Sequence, residues 1–234
     1  MQFTIYPTEH VYLHHKKVGT PEDPITSPKN KTLYAFYFGA LYSCYKFNYK
    51  YSKKIFAGNV ACTLLYNLLL VGLALKEGSG LSKAIFFSAI SYFTLFIMES
   101  VEYIEHYGLV YRKDEKSQPV TEISSWNTSE NEMLNWLIFR FQRHSDHHMN
   151  AYKIYPTLDL TNKMPQFPFD FVTGLVIATI PPLWIWLINP LADEIVDKKP
   201  AGADHHKLVF RTITAFRVAF ILNFVGKMVA YLFM

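Results

Sequence analysis

Nine histidines stand among 234 residues, and seven of them fall into three tight groups. The first is Glu9-His10-Val11-Tyr12-Leu13-His14-His15, an H-x3-H-H pattern. The second is Gln142-Arg143-His144-Ser145-Asp146-His147-His148, an H-x2-H-H pattern. A single histidine, His106, sits in Tyr103-Ile104-Glu105-His106-Tyr107-Gly108-Leu109. On a helix, His10 and His14 are one turn apart with His15 beside them, and His144, His147 and His148 share one face. Imidazole is a borderline ligand that suits Fe, Zn, Cu or Ni, so this clustering predicts a metal centre. Seven imidazoles are too many for one ion with an open position and suit two. The pair His205-His206 reads as a solvated surface feature, and His106 taken alone would read as a helix-end histidine at the negative end of the dipole. Cys44 and Cys62 follow no metal or redox spacing and read as small buried hydrophobes.

The elements that must position these groups are largely apolar. Hydrophobic residues make up 50% of the chain and aromatics 17%, against 18% charged. A mean hydropathy of +0.07 is too apolar for a typical soluble domain and too mild for a bare bundle of spanning helices. This balance, with a net charge of only +4, excludes a disordered chain, a disulfide scaffold and a nucleic-acid binder. Residues 1–10 carry neither a basic n-region nor an apolar core, so no secretory signal is expected there, nor an Arg-rich presequence. Residues 19–31, with Pro21, Pro24 and Pro28, predict an ordered loop. The stretch 33–47 is apolar and aromatic but short for a span, which suits an interfacial or re-entrant segment. Residues 56–75 give 20 positions without a charge, the length of a bilayer core. A glycine-containing turn at 76–83 and a second apolar run lead to Glu99, Glu102, Glu105 and His106. We read 56–75 and 81–105 as a helical hairpin whose glutamates face protein rather than lipid.

Residues 112–130 read as a polar loop, and 130–150 as an amphipathic helix capped by Ser129. In 171–192 Pro181-Pro182 must break or kink a helix. The run 208–234 reads as a final span or docking helix. Eight lysines lie in 16–54 and two in the hairpin turn. The positive-inside rule therefore places the chain before residue 54 and after residue 105, with all three histidine groups, on the cytoplasm-equivalent face. The expected fold is all-α, a polytopic membrane helical bundle with a histidine-rich cap on that face.

The motifs QRHSDHH (Gln142 to His148), EHVYLHHKKVGTPEDP (Glu9 to Pro24) and EYIEHYGL (Glu102 to Leu109) together resemble the membrane alkane hydroxylases. These alkane 1-monooxygenases belong to the wider fatty acid desaturase and hydroxylase superfamily. Ser125-Trp126-Asn127 and Tyr155-Pro156-Thr157-Leu158 strengthen the likeness, which runs in order from about residue 9 to about residue 192. The resemblance implies an alkane hydroxylase-like membrane domain over 1–192, with 193–234 an additional apolar segment. It implies iron ligation by His10, His14, His15, His106, His144, His147 and His148. Glu9, Glu105 and Asp146 become acceptors that hold imidazole N–H groups. The implied cofactor is two irons where the site is intact, and one or none where it is degenerate. The implied reaction inserts one oxygen atom of O2 into a terminal C–H bond of an alkane or fatty-acyl chain. A rubredoxin- or ferredoxin-like protein would supply the electrons and membrane lipids the surroundings, with no nucleic-acid partner.

The family pattern also carries an earlier H-E-x-x-H box, which these 234 residues do not contain. Leu13 stands where the family has a glycine, Glu102 where it has an asparagine, and Met164 to Phe171 departs from its pattern. Three readings follow. Another membrane subunit supplies the missing box to a split enzyme; or the chain is a catalytically inactive accessory subunit that scaffolds a larger complex; or the sequence is part of an ordinary hydroxylase. A fatty-acyl desaturase is a weaker enzymatic alternative. The location expected is a mitochondrial inner membrane or another organellar or bacterial inner membrane, with the histidines on the matrix-equivalent side.

Overall fold

A computed structural model of the chain describes residues 5–76, 78–114, 116–128, 138 and 140–232. Among them the regular elements are helices, and β pairing is limited to an isolated bridge between Asn127 and Gln166. The chain forms two compact units, Met1–Val120 and Thr121–Met234.

The first unit opens with a short helical segment made of α1 (Tyr6–Glu9), a π-helical stretch (His10–His14) and α2 (His15–Lys17). The proline-rich loop follows, as its composition predicts. Helix α3 (Leu33–Tyr51) is capped by Thr32, whose hydroxyl accepts from the Ala35 amide. Leu33, Phe36, Ala40, Cys44 and Asn48 recur every three or four residues and form its buried face. At the end of that face the Asn48 amide donates to the carbonyls of Ile5 and Cys44, both at 2.9 Å, and so fastens the start of the histidine segment to α3.

Helices α4 (Lys53–Ala74) and α5 (Gly80–His106) make the expected hairpin. They pack side by side, with the Tyr66 hydroxyl against Ser91 Oγ at 2.5 Å and donating to the Phe87 carbonyl. The return is tight: a Cβ on Gly80 would lie 2.3 Å from the Leu73 carbonyl oxygen, so only glycine fits. Helix α4 is apolar all round and has no buried residue, the pattern of a helix solvated by lipid. Cys62 is accordingly exposed, which corrects the reading of both cysteines as buried; only Cys44 is. Helix α5 has two characters. Its first half is apolar and exposed, whereas from Leu95 onward Glu99, Ser100, Glu102, Tyr103, Ile104, Glu105 and His106 are all buried. The glutamates thus face protein, as the span requires.

In the second unit α6 (His144–Met149) carries the second histidine triplet. The helix expected over 130–150 does not reach it unbroken. Arg140 adopts φ 61°, incompatible with a right-handed helix, and residues 140–142 form a turn. The expected Ser129 cap and most of 130–139 lie outside the described residues. Beyond α6, Pro181-Pro182 splits the next apolar run into α7 (Phe171–Ala178) and α8 (Pro181–Val196), with the break at Thr179-Ile180. The two prolines occupy the first turn of α8, where their missing N–H groups need no partner. Helix α9 (Ala203–Leu232) closes the chain. Trp126, Phe167, Phe169 and Trp184 form an aromatic core, with Trp126 stacked on Phe167 at 4.4 Å. Among the described residues three helices are long and apolar enough to cross a membrane: Lys53–Ala74, Gly80–His106 and Ala203–Met228.

Candidate metal centre

In the first unit the H-x3-H-H group is held together by the π-helical stretch. On a regular α-helix His15 would lie about 140° round the axis from His10. Here the His15 amide donates to the His10 carbonyl, a five-residue step that widens the turn. The wider turn brings all three rings together, with centroids 5.0 Å apart for His10 and His14, 4.8 Å for His10 and His15, and 5.9 Å for His14 and His15. His106, the last residue of α5, sets its ring edge against His14 at 4.6 Å.

The proline-rich loop positions His14. Asp23 is buried within it and accepts from the Ile25 amide (3.1 Å), the Thr26 amide (3.0 Å) and the Thr26 hydroxyl (2.6 Å). The same carboxylate accepts from His14 Nδ1 at 2.8 Å. With the proton on Nδ1, His14 Nε2 carries a lone pair, as a metal ligand requires. Burial pushes the Asp23 carboxyl up to about 6, against the lowering effect of the Thr26 hydroxyl and of His106. The loop is tied down by Arg112, which donates to the Val18 carbonyl at 2.9 Å, and by Gly19, whose carbonyl accepts from the amides of Tyr111 and Arg112.

Glu102 lies one helical turn before His106. Its Oε1 accepts from the Tyr6 hydroxyl and is 3.5 Å from His10 Nδ1. Its Oε2 is 3.9 Å from His14 Nε2 and 3.7 Å from His106 Nε2. Nitrogen or oxygen atoms of His10, His14 and Glu102 all fall within 4.8 Å of one another. Glu9, Glu99 and Glu105 are fully buried nearby on the same elements. Burial, followed by the charges of Asp23, Glu102 and Glu99, pushes the Glu9 carboxyl up to about 9, so it is neutral at physiological pH.

In the second unit the α-helical H-x2-H-H spacing works as the sequence predicts. His144 and His148 face each other with Nε2 atoms 3.0 Å apart, and His147 lies with its ring centroid 5.4 Å from that of His144. Ser125-Trp126-Asn127 supports this helix: Asn127 Oδ1 accepts from the Ser145 amide at 3.0 Å, and the Ser145 hydroxyl donates to the Ser125 carbonyl at 2.7 Å. Tyr155 stacks on His147 at 5.1 Å, and Phe141 lies 5.2 Å from His144. Burial lowers the His147 pKa, with Asp146 opposing, and so keeps that imidazole neutral and able to bind a metal. Asp146 accepts from Lys153 at 2.9 Å, the Asp159 amide at 2.8 Å and the Asn150 amide at 2.6 Å. His205 and His206 lie apart from either group, against the Leu187 carbonyl and Glu194.

The residues that sequence reasoning left without a site role are Asp23, Glu102 and Tyr6. A signal for Glu102 was present. It shares a helix face with His106, and an ionisable group inside an apolar span is a functional candidate by default. Asp23 is visible in the TPEDP motif only once the loop has folded round it.

Comparison with known proteins agrees with the donor set. Residues 1–170 match the fatty acid desaturase family. The chain belongs to this family. It is 33% identical over 199 residues to alkane 1-monooxygenase 2 of Alcanivorax borkumensis, which covers 79% of this chain and 51% of that protein. It is 32% identical over 203 residues to alkane 1-monooxygenase 1 of Pseudomonas aeruginosa, covering 79% and 51%. The xylene/toluene monooxygenase hydroxylase component XylM of Pseudomonas putida is 29% identical over 191 residues, covering 76% and 50%. The chain thus spans about half the length of the curated relatives it matches. This desaturase-family chain, with its three long apolar helices, is an integral membrane protein. Its buried imidazoles make a borderline nitrogen set beside hard carboxylate oxygen, a combination that fits iron.

Proposed function

We propose that the chain is a di-iron membrane monooxygenase of the alkane hydroxylase type. It inserts one atom of O2 into a terminal C–H bond of an alkane or fatty-acyl chain and reduces the other to water. Two electrons come from a rubredoxin- or ferredoxin-like donor, and the enzyme works within an assembly that includes a further membrane subunit. Residues 1–192 form the hydroxylase domain and 193–234 an added apolar segment. The lysine excess of 16–54 favours a cytoplasm- or matrix-facing orientation for the histidines, in a bacterial or organellar inner membrane.

The observation that carries this reading is the burial of clustered imidazoles, one of them, His14, oriented by the Asp23 carboxylate. His14 and His106 are fully buried, and His144, His147 and His148 are at most 8% exposed. Surface histidines have no reason to be so ordered. His10, His14, His15 and His106 from one unit and His144, His147 and His148 from the other are the ligands, with the side chains of Glu9, Glu105 and Asp146 as supporting groups. Bound iron would supply the reductive activation of O2. The protein's own part is to keep these imidazoles neutral and in one tautomer. It also offers the substrate an apolar channel: Tyr37, Leu41 and Tyr45 of α3, Thr63 and Asn67 of α4, and Tyr92 and Leu95 of α5 line a cavity of about 380 Å³. Ile5 also lines it, next to the Tyr6 that reaches Glu102.

The test is metal content and turnover of the purified chain in its host assembly. Two irons per copy are expected, and His147→Ala should abolish oxidation of a labelled alkane and lower the iron content. A full complement of histidines with no iron bound overturns the reading.

A further inference from the structure

Glu102 opens the EYIEHYGL motif without being one of its histidines, and three imidazoles converge on it. It lies in the buried half of α5, where an ionised side chain is costly unless opposite charge is near. Oε1 has one donor, the Tyr6 hydroxyl. Oε2 is buried and has no hydrogen-bond partner among the described residues. His10 Nδ1 lies 3.5 Å from Oε1, and His14 Nε2 and His106 Nε2 lie 3.9 and 3.7 Å from Oε2. These distances exceed the roughly 2.7–3.2 Å of a good hydrogen bond. They are close to the separation of two ligand atoms on one cation. With metal–ligand bonds of about 2.1 Å, neighbouring ligands lie about 3.0 Å apart at right angles and about 3.6 Å apart at 120°. The two oxygens of one carboxylate and three imidazole nitrogens with that spacing describe the ligands of one ion.

We propose that Glu102 is itself a metal ligand, completing a mixed imidazole–carboxylate set with His10, His14 and His106 for a divalent first-row cation. Tyr6 is its positioning residue: stacked on His10 at 4.6 Å and donating to Oε1, it fixes which oxygen stays bare. An anionic oxygen in the set offsets part of the ion's charge inside an apolar surround and favours iron(II), manganese(II) or zinc(II) over soft copper(I). The inference deepens the iron reading above and rests on it.

The experiment uses the full chain in lipid nanodiscs, stripped of metal and titrated anaerobically with iron(II) against a competing chelator. Parallel titrations use manganese(II) and zinc(II). Glu102→Gln keeps shape but removes the anion, and should weaken iron binding by on the order of a hundredfold, the upper end of what supporting residues alone achieve. Tyr6→Phe should cost about tenfold and change the spectrum of the bound metal without removing it. Glu99→Gln, at another fully buried carboxylate of α5, should bind as the parent does. Should Glu102→Gln fail to fold, the iron K-edge spectrum of the unmutated protein decides: a mixed nitrogen and carboxylate shell supports the assignment, and an imidazole-only shell overturns it. Parental affinity in Glu102→Gln, or an equal loss in Glu99→Gln, overturns the role of Glu102 while leaving the iron reading intact. A parent chain that binds none of the three cations overturns both.

Discussion

Around His14 the ordering groups are acidic side chains. Asp23 fixes one ring nitrogen and Glu102 faces the other, in surroundings that also bury Glu9, Glu99 and Glu105. Around His147 the ordering groups are rings and neutral hydrogen bonds: Tyr155 stacks on it, and Asn127 and Ser125 hold the helix that carries it. The nearest carboxylate there, Asp146, is engaged by Lys153 and two amides. One type of side chain is thus oriented in two ways. Charge fixes the tautomer of a ring but leaves a buried anion that must always be satisfied. Stacking fixes only the plane of a ring and tolerates substitution better.

The contrast predicts unequal damage from equivalent mutations. Asp23→Ala removes the acceptor of His14 and of three loop donors in a fully buried setting, and should cost about 3–5 kcal/mol of stability. Asp146→Ala should cost clearly less, because Lys153 can turn to water. Chemical denaturation of both variants checks this, and equal losses would dissolve the distinction. Gly19→Ala should come next, at about 1–3 kcal/mol. Gly19 has φ 77°, and a Cβ there would lie 2.2 Å from the Tyr111 ring, so the loop that carries Asp23 must shift. The same denaturation series reads it.

In the second unit Tyr155→Leu keeps apolar bulk but loses the stack on His147, and should cost only about 0.5–1.5 kcal/mol. A larger loss would mean that Tyr155 does more than pack. The smallest effect belongs to a carboxylate away from the histidines. Asp170 caps α7 by accepting from the Thr173 amide and pairs with Arg217 at 2.7 Å. Burial raises its pKa, but the Thr173 amide and Arg217 more than offset this and hold it below the usual 3.8. An acid depressed on folding adds stability at neutral pH that is lost as pH falls through its folded value. Melting below pH 4 should therefore steepen in the parent relative to Asp170→Asn. Parallel acid limbs would show that the ion pair is idle.

Much of this was legible in the sequence, for local reasons. The hairpin was visible because α4 is uniformly apolar, and the break at Pro181 because a proline lacks an N–H. The second triplet was visible because three- and four-residue spacings share a face on an ordinary helix. The role of Asp23 was not, since it depends on the folded loop and His14, and Glu102 was legible only as an ionisable group in a span, its partner Tyr6 lying 96 residues away. The helix expected over 130–150 failed at Arg140, where hydrophobic periodicity carries no record of a left-handed residue.

The π-helical turn at His10 to His14 also bears on how the two triplets are related as text. Remove any one residue from Val11-Tyr12-Leu13 and H-x3-H-H becomes H-x2-H-H, the spacing found at His144. The widened turn is what a helix forms when it takes in one extra residue without moving the residues on either side. The first triplet therefore reads as the second with a single insertion absorbed in the backbone. An alignment that scores ligands by fixed spacing would reject it, although its rings gather as closely as those of its shorter counterpart.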